Sequence, residues 1–178
     1  MCGLAGFIGF ANNAELAEKA NIIQQHRGPD NQSVWHDGYI AFVHQRLSII
    51  DLSEAANQPL HKNDLAVIFN GEIYNYKELQ AKLISEKQVV FQTSSDTEVV
   101  LEMYKHYGPE CLNYFLGMFA FAVYDKNSND LFIARDHFGI KPLFYSRING
   151  AFAFSSELKT LVTIPGFNKK INAKSLVS

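Results

Sequence analysis

The chain begins M-C-G-L-A-G-F-I-G-F, residues 1–10, so that a cysteine follows the initiator methionine and a glycine-rich apolar run follows the cysteine. Removal of Met1, which is usual before a small side chain, would leave Cys2 with a thiol and a free α-amino group. A thiol beside an amine that titrates near neutral pH is a nucleophile that carries its own base. The apolar run itself predicts a buried strand over residues 2–10.

Length and composition indicate one ordinary globular domain spanning residues 1–178. The chain is 47% apolar and 19% charged with a net charge of -2, a balance that argues against nucleic-acid or membrane-surface partners. Two cysteines do not make a disulfide framework, which favours a reducing compartment. The chain has neither a basic segment ahead of its apolar start nor an apolar run long enough to cross a membrane, so we predict a cytoplasmic location.

The hydrophobic pattern predicts helices between strands. Helical spacing marks residues 15–25, 76–86 and 96–107, with Asp96 as the expected N-cap of the last helix. The predicted strands are 39–50, 65–69, 118–125, 131–135, 143–148 and 151–154. Asn70-Gly71 is interpreted as a turn, and Asn149-Gly150 as the turn of a hairpin. This order predicts an α+β fold with antiparallel sheets whose faces are covered by helices.

Polar clusters follow several of these segments, and each has an ordinary explanation when it is taken alone. Arg46 can form a surface ion pair, Asn70-Gly71 can be a turn, and Asp96 can be a helix cap. Cys111 lies at an apolar helical position and is expected to be a buried structural thiol. The six histidines lack metal-ligand spacing, so we predict no metal site and no cofactor in this chain.

Together with Cys2, the clusters form a set of parts for acyl transfer. The Asn70 amide and the Gly71 N–H are a suitable pair of oxyanion donors. Arg46 can bind the carboxylate of an amino acid, and Asp96 or Glu72 can bind its ammonium group. The set fits cleavage of the side-chain amide of an amino acid, although spacing alone does not bring the parts together.

At this point the chain resembles the class II, N-terminal-nucleophile glutamine amidotransferases, and within them the glutaminase domain of glutamine-hydrolysing asparagine synthetases. The resemblance runs in family order from residue 1 to about residue 162. Its segments are M-C-G-L-A-G-F, H-R-G-P-D, H-Q-R-L-S-I-I-D-L-S, N-Q-P-L, F-N-G-E-I-Y-N-Y, S-D-T-E-V-V-L, G-M-F-A-F-A-V-Y-D, A-R-D-H-F-G-I-K-P-L-F-Y and F-S-S-E-L-K.

The resemblance implies a four-layer αββα sandwich of two antiparallel sheets, the N-terminal nucleophile hydrolase fold. It implies that Cys2 attacks L-glutamine with its α-amino group as base, and that a γ-glutamyl thioester follows, with Asn70 and Gly71 forming the oxyanion hole. The implied substrate-binding residues are Arg46, Leu47, Ser48, Ile49 and Ile50 for the carboxylate, and Glu72 and Asp96 for the ammonium group. The family match also implies an ordering role for His26, Arg27 and Asp30, and a stabilising role for residues 135–142, which would face a synthetase domain in larger relatives.

The resemblance further implies an acceptor for the ammonia. Asparagine-forming members carry an ATP-pyrophosphatase domain marked by S-G-G-x-D-S, which this chain lacks, so ATP and Mg are expected only for that absent domain. The chain stops at K-K-I-N-A-K-S-L-V-S, about where the family continues, which favours an excised domain over a stand-alone protein. The expected partners are L-glutamine and a synthetase domain or chain that receives ammonia.

Three other interpretations stay open at this stage. The ammonia can serve the amidation of another acid, such as a sugar carboxylate. The chain can be an N-terminal-nucleophile amidase with a different substrate, although Arg46 with Asp96 suits a free amino acid. It can also be a non-catalytic regulatory module of the same fold, against which the intact Cys2 and Asn70-Gly71 argue. The oligomeric state is open, with a homodimer among the alternatives.

Overall fold

The structure, a computed structural model, describes residues 1–170; residues 171–178, with most of the K-K-I-N-A-K-S-L-V-S end, lie outside the described residues. The strands are β1 (Gly3–Ile8), β2 (Asn31–His36), β3 (Ile40–Arg46), β4 (Leu60–Lys62), β5 (Leu65–Ile73), β6 (Gly117–Asp125), β7 (Asp130–Arg135), β8 (Phe144–Ile148) and β9 (Ala151–Ser155). The helices are α1 (Asn13–Gln24), α2 (Tyr76–Lys87), α3 (Asp96–Tyr107) and α4 (Leu158–Val162), with short 3-10 helices at Gln25–Arg27, Glu54–Ala56 and Gly108–Tyr114.

The strands form two antiparallel sheets that pack face to face. One sheet has the order β2-β3-β1-β9-β8 and the other β4-β5-β6-β7. Residues such as Phe42, Ile68 and Phe154 fill the space between the sheets. The alternate residues of each strand face outward, where α1 and α4 cover the first sheet, and α2 and α3 cover the second. The predicted four-layer αββα sandwich is therefore confirmed.

The predicted elements are largely confirmed, with shifted ends. The last two long helices, α2 and α3, match their predicted spans within one residue, and α1 begins two residues earlier than predicted. The β8–β9 hairpin turns at Asn149 and Gly150, which both have positive φ, as a two-residue turn of this type requires. Strand β3 ends at Arg46 rather than at residue 50. The sequence pattern did not predict strands β2 and β4 or helix α4.

The interpretation of Asn70-Gly71 as a turn is wrong. Strand β5 continues through both residues to Ile73, and Gly71 pairs with Phe119 of β6. A side chain at Gly71 would place its Cβ 2.3 Å from the Met118 carbonyl oxygen. Glycine is therefore needed here for close approach of two strands, which the Asn-Gly pair does not distinguish from a turn.

The predicted N-cap of α3 is also wrong by one residue. The Ser95 side chain accepts the Thr97 N–H at 3.1 Å and caps the helix. Asp96 is instead the first helical residue and is buried. Asp96 therefore does not occupy the N-cap position that was its ordinary explanation from the sequence.

The two sheets bring the site to one end of the sandwich. Gly3 of β1 pairs with Gln45 of β3, so Cys2 lies beside Arg46 at the same edge of the first sheet. The last residues of β5 face this edge, because the buried His44 ring donates from Nε2 to the Phe69 carbonyl oxygen at 3.1 Å across the two sheets. Within residues 1–170 no helix is long and apolar enough to span a bilayer.

Candidate active site

Every residue that the sequence analysis assigned to the site borders a single cavity at this end of the sandwich. The cavity opens between the start of β1, the loop after β3, the end of β5 and the start of α3. The predicted residues on its wall are Cys2, Arg46, Leu47, Ser48, Ile49, Ile50, Asn70, Gly71, Glu72 and Asp96. The fold thus brings the predicted site residues together, which their spacing in the sequence could not establish.

The Cys2 sulfur is held at the edge of β3. The Leu47 N–H donates to Cys2 Sγ at 3.4 Å, and the Cys2 thiol donates to the Leu47 carbonyl oxygen at 3.6 Å. Behind the sulfur, Arg27 Nε donates to the Cys2 carbonyl oxygen at 3.0 Å, and its Nη1 contacts Glu157 at 3.3 Å. The main chain of Cys2 is therefore fixed from the H-R-G-P-D segment, and Asp30 of that segment accepts the Ser48 N–H at 2.7 Å.

Asn70 provides a donor that is buried and unpaired. Its side chain is 1% exposed and lies on the inner face of β5, where it borders the cavity. Within the described part of the chain, Asn70 Nδ2 has no hydrogen-bond partner. Since an unsatisfied buried donor costs free energy, a donor left in this state on a cavity wall indicates a ligand oxygen as its partner.

The Gly71 N–H points into the same region by strand alternation. The Asp64 carbonyl oxygen accepts the Lys126 N–H before β5, and the Tyr74 N–H donates to Leu116 after it, so even-numbered residues bond to β6. The N–H groups of the odd-numbered Phe69 and Ile73 point away and donate to the side chains of Gln58 and Asp96. Gly71 lies between them and points the same way.

Two carboxylates face the cavity beside this strand end. The Asp96 Oδ2 atom accepts the Ile73 N–H at 3.0 Å, and Glu72 borders the cavity next to it. Burial raises the pKa of Asp96 to about 6, and the neighbouring Glu72 charge raises it further, against the lowering by the Ile73 N–H. Two neighbouring negative charges in a partly buried cavity form a binding position for a cation such as an ammonium group.

Replacement of the Asp96 carboxyl group by an amide is expected to raise the free energy of unfolding at neutral pH. Between pH 4 and 6 folded Asp96 holds a proton that the unfolded chain releases, so wild-type stability falls as pH rises through this window. Asp96→Asn removes that decline and should gain about 2–3 kcal/mol at pH 7, measured by urea unfolding at pH 4 and pH 7. Asp64→Asn, at an exposed position, is the control. An Asp96→Asn variant that is no more stable at pH 7 than the wild type would contradict this assignment.

Arg46 borders the cavity, but its guanidinium is largely engaged with the loop that follows it. Nη1 donates to the Ser53 carbonyl oxygen at 2.8 Å and to Asn57 Oδ1 at 2.7 Å. Nη2 donates to the Asp51 carbonyl oxygen. Arg46 thus orders residues 47–57, and through them the Leu47–Ile50 wall of the cavity, in addition to facing it.

His44 supports the strand that carries the donors. Burial lowers the pKa of His44 to about 4, against a raising by its bond to Phe69, and the nearby Arg46 charge lowers it further. The ring is therefore neutral at physiological pH, with its Nε2 proton directed to the Phe69 carbonyl oxygen. The neutral ring thus links the two sheets at Phe69, the residue before Asn70.

Several residues of the cavity wall escaped the sequence analysis. They are Met1, Asp51, Ala56, Gln58, Phe69, Ser95, Thr97, Met118 and Lys141. Gln58 belongs to the N-Q-P-L segment and Lys141 to the R-D-H-F-G-I-K-P segment, two segments of the family resemblance for which the sequence predicts no role in the cavity. Among residues 1–170, no group of three or more His, Cys, Asp or Glu side chains is arranged to hold a metal ion.

The four-layer sandwich with a cysteine at the start of its central strand has the architecture of the N-terminal-nucleophile hydrolases. Solved structures share the fold: a glutamine phosphoribosylpyrophosphate amidotransferase from B. subtilis, complexed with ADP and GMP, matches with a TM-score of 0.76 and 24% identity. A structure described as the allosteric regulatory enzyme of purine biosynthesis matches with a TM-score of 0.74 and 24% identity. Each match covers 90% of this chain and 43% of the other.

Sequence comparison narrows the class to a family. Residues 1–178 match the family described as "Glutamine amidotransferase domain", and the chain belongs to this family of enzymes. Asparagine synthetase [glutamine-hydrolyzing] 1 of Bacillus subtilis (strain 168) is 45% identical over 91% of the chain. A putative asparagine synthetase [glutamine-hydrolyzing] 2 of Methanocaldococcus jannaschii is 37% identical over 97% of it. The chain spans 27% and 37% of the length of these two relatives.

Proposed function

We propose that this domain hydrolyses L-glutamine to L-glutamate and ammonia through a thioester on Cys2. The observation that carries the proposal is the Asn70 Nδ2 donor, which has no hydrogen-bond partner among residues 1–170 and lies on the cavity wall that also holds the Cys2 thiol. The Gly71 N–H beside it points to the same side of β5 as the N–H groups of Phe69 and Ile73. Hydrogen-bond donors beside a nucleophile are suited to stabilise the oxyanion of the tetrahedral intermediate in acyl transfer. Family membership supports glutamine as the source of the acyl group.

The charged groups of the cavity fit the other end of glutamine. The α-ammonium group binds between Asp96 and Glu72. The two carboxylates repel each other when no cation lies between them, and the ammonium group offsets this repulsion. The α-carboxylate binds at Arg46, which exchanges one of its loop acceptors for the carboxylate, with Leu47–Ile50 closing the pocket around it. The side chain of glutamine then extends toward Cys2.

The chemistry needs one base and one oxyanion site. The Cys2 α-amino group accepts the thiol proton as the sulfur attacks the amide carbon, and the developing oxyanion binds Asn70 and Gly71. The ammonium form of the amine then returns its proton to the leaving nitrogen as the C–N bond breaks, which releases ammonia. Water attacks the remaining thioester with the same base, and glutamate leaves as Cys2 regains its proton.

The oxyanion role is tested by Asn70→Ala. Loss of one oxyanion donor should lower kcat for glutamate release by about 10²- to 10³-fold and leave KM nearly unchanged, because the donor acts on charge that develops after binding. Glutamate release is measured on protein whose intact mass shows that Met1 is gone. Asn12→Ala, at an exposed site before α1, is the control. A kcat within threefold of the wild type in the folded Asn70→Ala variant would exclude this role.

We also propose that the ammonia serves an ATP-dependent amidation at a site supplied by other residues, with aspartate as the acceptor and asparagine as the product. The names of the relatives and their greater length support this acceptor. An apolar surface lies next to the cavity, where Phe138 is 89% exposed and Ile140 adjoins the cavity residue Lys141. This surface is the position at which a synthetase domain or chain is expected to bind. Amidation of another acid is the alternative, and product analysis with aspartate and ATP in the complete protein distinguishes the two.

A further inference from the structure

Asp51 has a carboxylate that connects two loops of the candidate active site. The residue is partly buried, borders the cavity and lies in the loop that follows β3. Its Oδ1 atom accepts the N–H and the hydroxyl group of Ser53, at 2.8 and 2.7 Å, within its own loop. Its Oδ2 atom accepts the N–H and the hydroxyl group of Ser94, at 2.9 and 3.0 Å, from the segment that precedes α3. The carboxylate thus joins two segments that are 43 residues apart in the sequence.

The four donors keep this carboxylate ionised. The Ser53 hydroxyl, the N–H groups of Ser53 and Ser94, and the Ser94 hydroxyl hold the pKa of Asp51 well below its ordinary value, although partial burial raises it. Hydrogen bonds to an ionised acceptor are stronger than those between neutral groups. The connection is therefore suited to fix the two loops relative to each other.

The two loops carry the groups assigned to the two charged ends of glutamine. The Asp51 carbonyl oxygen accepts Arg46 Nη2, so Asp51 also contacts the guanidinium proposed for the α-carboxylate. Ser94 lies two residues before Asp96, the carboxylate proposed for the α-ammonium group, and Ser95 between them caps α3. Asp51 is therefore placed between the two side chains that would bind the charges of one α-carbon.

The segment before α3 is attached on its other side by different residues. The buried Glu98 carboxylate accepts the Thr93 N–H at 2.7 Å and the Thr93 hydroxyl at 2.8 Å, and it pairs with Lys62 of β4 at 2.7 Å. Among residues 1–170, the hydrogen bonds between residues 92–95 and residues 47–57 are the two that Asp51 accepts from Ser94. The link between the two loops thus depends on Asp51.

We infer that Asp51 is a positioning residue that sets the separation of the carboxylate and ammonium positions, and so selects a ligand with the charged end of an α-amino acid. The inference rests on the proposed function, because it concerns how the same pocket holds glutamine. An α-amino acid bears both charges on one carbon atom, so both contacts form together only when Arg46 and Asp96 lie at a matching separation. Without the Asp51 link the two loops must be ordered as the ligand binds, which reduces the gain from the second contact.

Asp51→Asn separates the link from the structure of the loop itself. The amide keeps one oxygen for Ser53, whereas its NH2 group cannot accept the Ser94 N–H. Binding is measured by titration calorimetry in the full chain without Met1 and with Cys2→Ala, so that no ligand is hydrolysed. The two ligands are L-glutamine and glutaramate, which is glutamine without its α-amino group. Glu54→Gln, which removes an exposed charge from the same loop, is the control.

The ratio of the two affinities is the readout, because a general loss of structure weakens both ligands alike. Asp51→Asn should lower the preference for L-glutamine over glutaramate by about tenfold, as expected for the loss of hydrogen bonds to a charged group. Glu54→Gln should leave the preference unchanged. A preference in folded Asp51→Asn within about threefold of that of the parent protein overturns the inference, and so does a parent protein that does not prefer L-glutamine.

The outcomes for this inference and for the proposed function are distinguishable, because binding needs no turnover. A preference that is lowered in Asp51→Asn and retained in Glu54→Gln supports the inference, even if the protein with Cys2 releases no glutamate and the proposed function fails. An unchanged preference beside normal glutamate release overturns the inference alone.

Discussion

Cys2→Ala should lower glutamate release from L-glutamine by about 10⁴-fold or more, to the detection limit, because no other group in the cavity can form the thioester. The same variant should retain its fold and its affinity for glutamine, since the ammonium and carboxylate contacts assigned to Asp96 and Arg46 stay in place. Turnover is measured by glutamate release and affinity by titration calorimetry. Loss of turnover together with retained binding identifies a nucleophile rather than a structural residue.

Cys111→Ala is the matched control for this result. Its thiol is buried in the core beside α3, so the change should lower the free energy of unfolding by about 1 kcal/mol through loss of packing. Turnover at a temperature where the variant is folded should equal that of the wild type. Glutamate release by Cys2→Ala at a rate near that of the wild type would contradict the proposed mechanism, because a different group would then be the nucleophile.

Extension of the N-terminus by one glycine should be nearly as damaging as loss of the thiol. A leader cleaved directly before Cys2 leaves a free amine, whereas the same leader cleaved to leave Gly-Cys2 converts that amine to a peptide nitrogen. The peptide nitrogen is not basic because its lone pair is delocalised. Turnover should fall by about 10²- to 10⁴-fold, the usual contribution of a general base.

The glycine is chosen because it adds little bulk to the cavity that the Met1 side chain borders. Circular dichroism and the urea midpoint check that both forms fold alike, and glutamine titration checks that the pocket stays open. Equal turnover of the two forms would exclude the α-amino group as the base. A loss of turnover accompanied by a loss of glutamine binding would instead indicate obstruction of the pocket.

Much of the fold could be predicted from the sequence because its long elements have strong periodicity. Helices α2 and α3 and the β8–β9 hairpin have clear signals of their own. Strand β2 has no such signal, since its sequence N-Q-S-V-W-H is mostly polar and partly exposed, and only pairing with β3 makes it a strand. Asn70-Gly71 was misassigned because its conformation is decided by a partner strand that is distant in sequence.

The candidate site was likewise predictable in part: its residues could be selected from the sequence, but their contacts could not. Residue types and family motifs were sufficient to select Cys2, Asn70 and Asp96, since each is of a kind that the chemistry requires. What the sequence could not give is how each group is engaged: Arg46 holds its own loop, and Ser95 rather than Asp96 caps the helix.

The central claim is that Cys2 carries the acyl group of glutamine, and rapid acid quenching during turnover tests it most directly. Protein that lacks Met1 is mixed with L-glutamine, quenched at low pH, where thioesters persist, and digested for mass spectrometry. The account predicts a glutamyl group on the N-terminal peptide at Cys2, present within the first turnover and absent from Cys2→Ala. Rapid glutamate release without any adduct on that peptide, or an adduct on another residue, would contradict it.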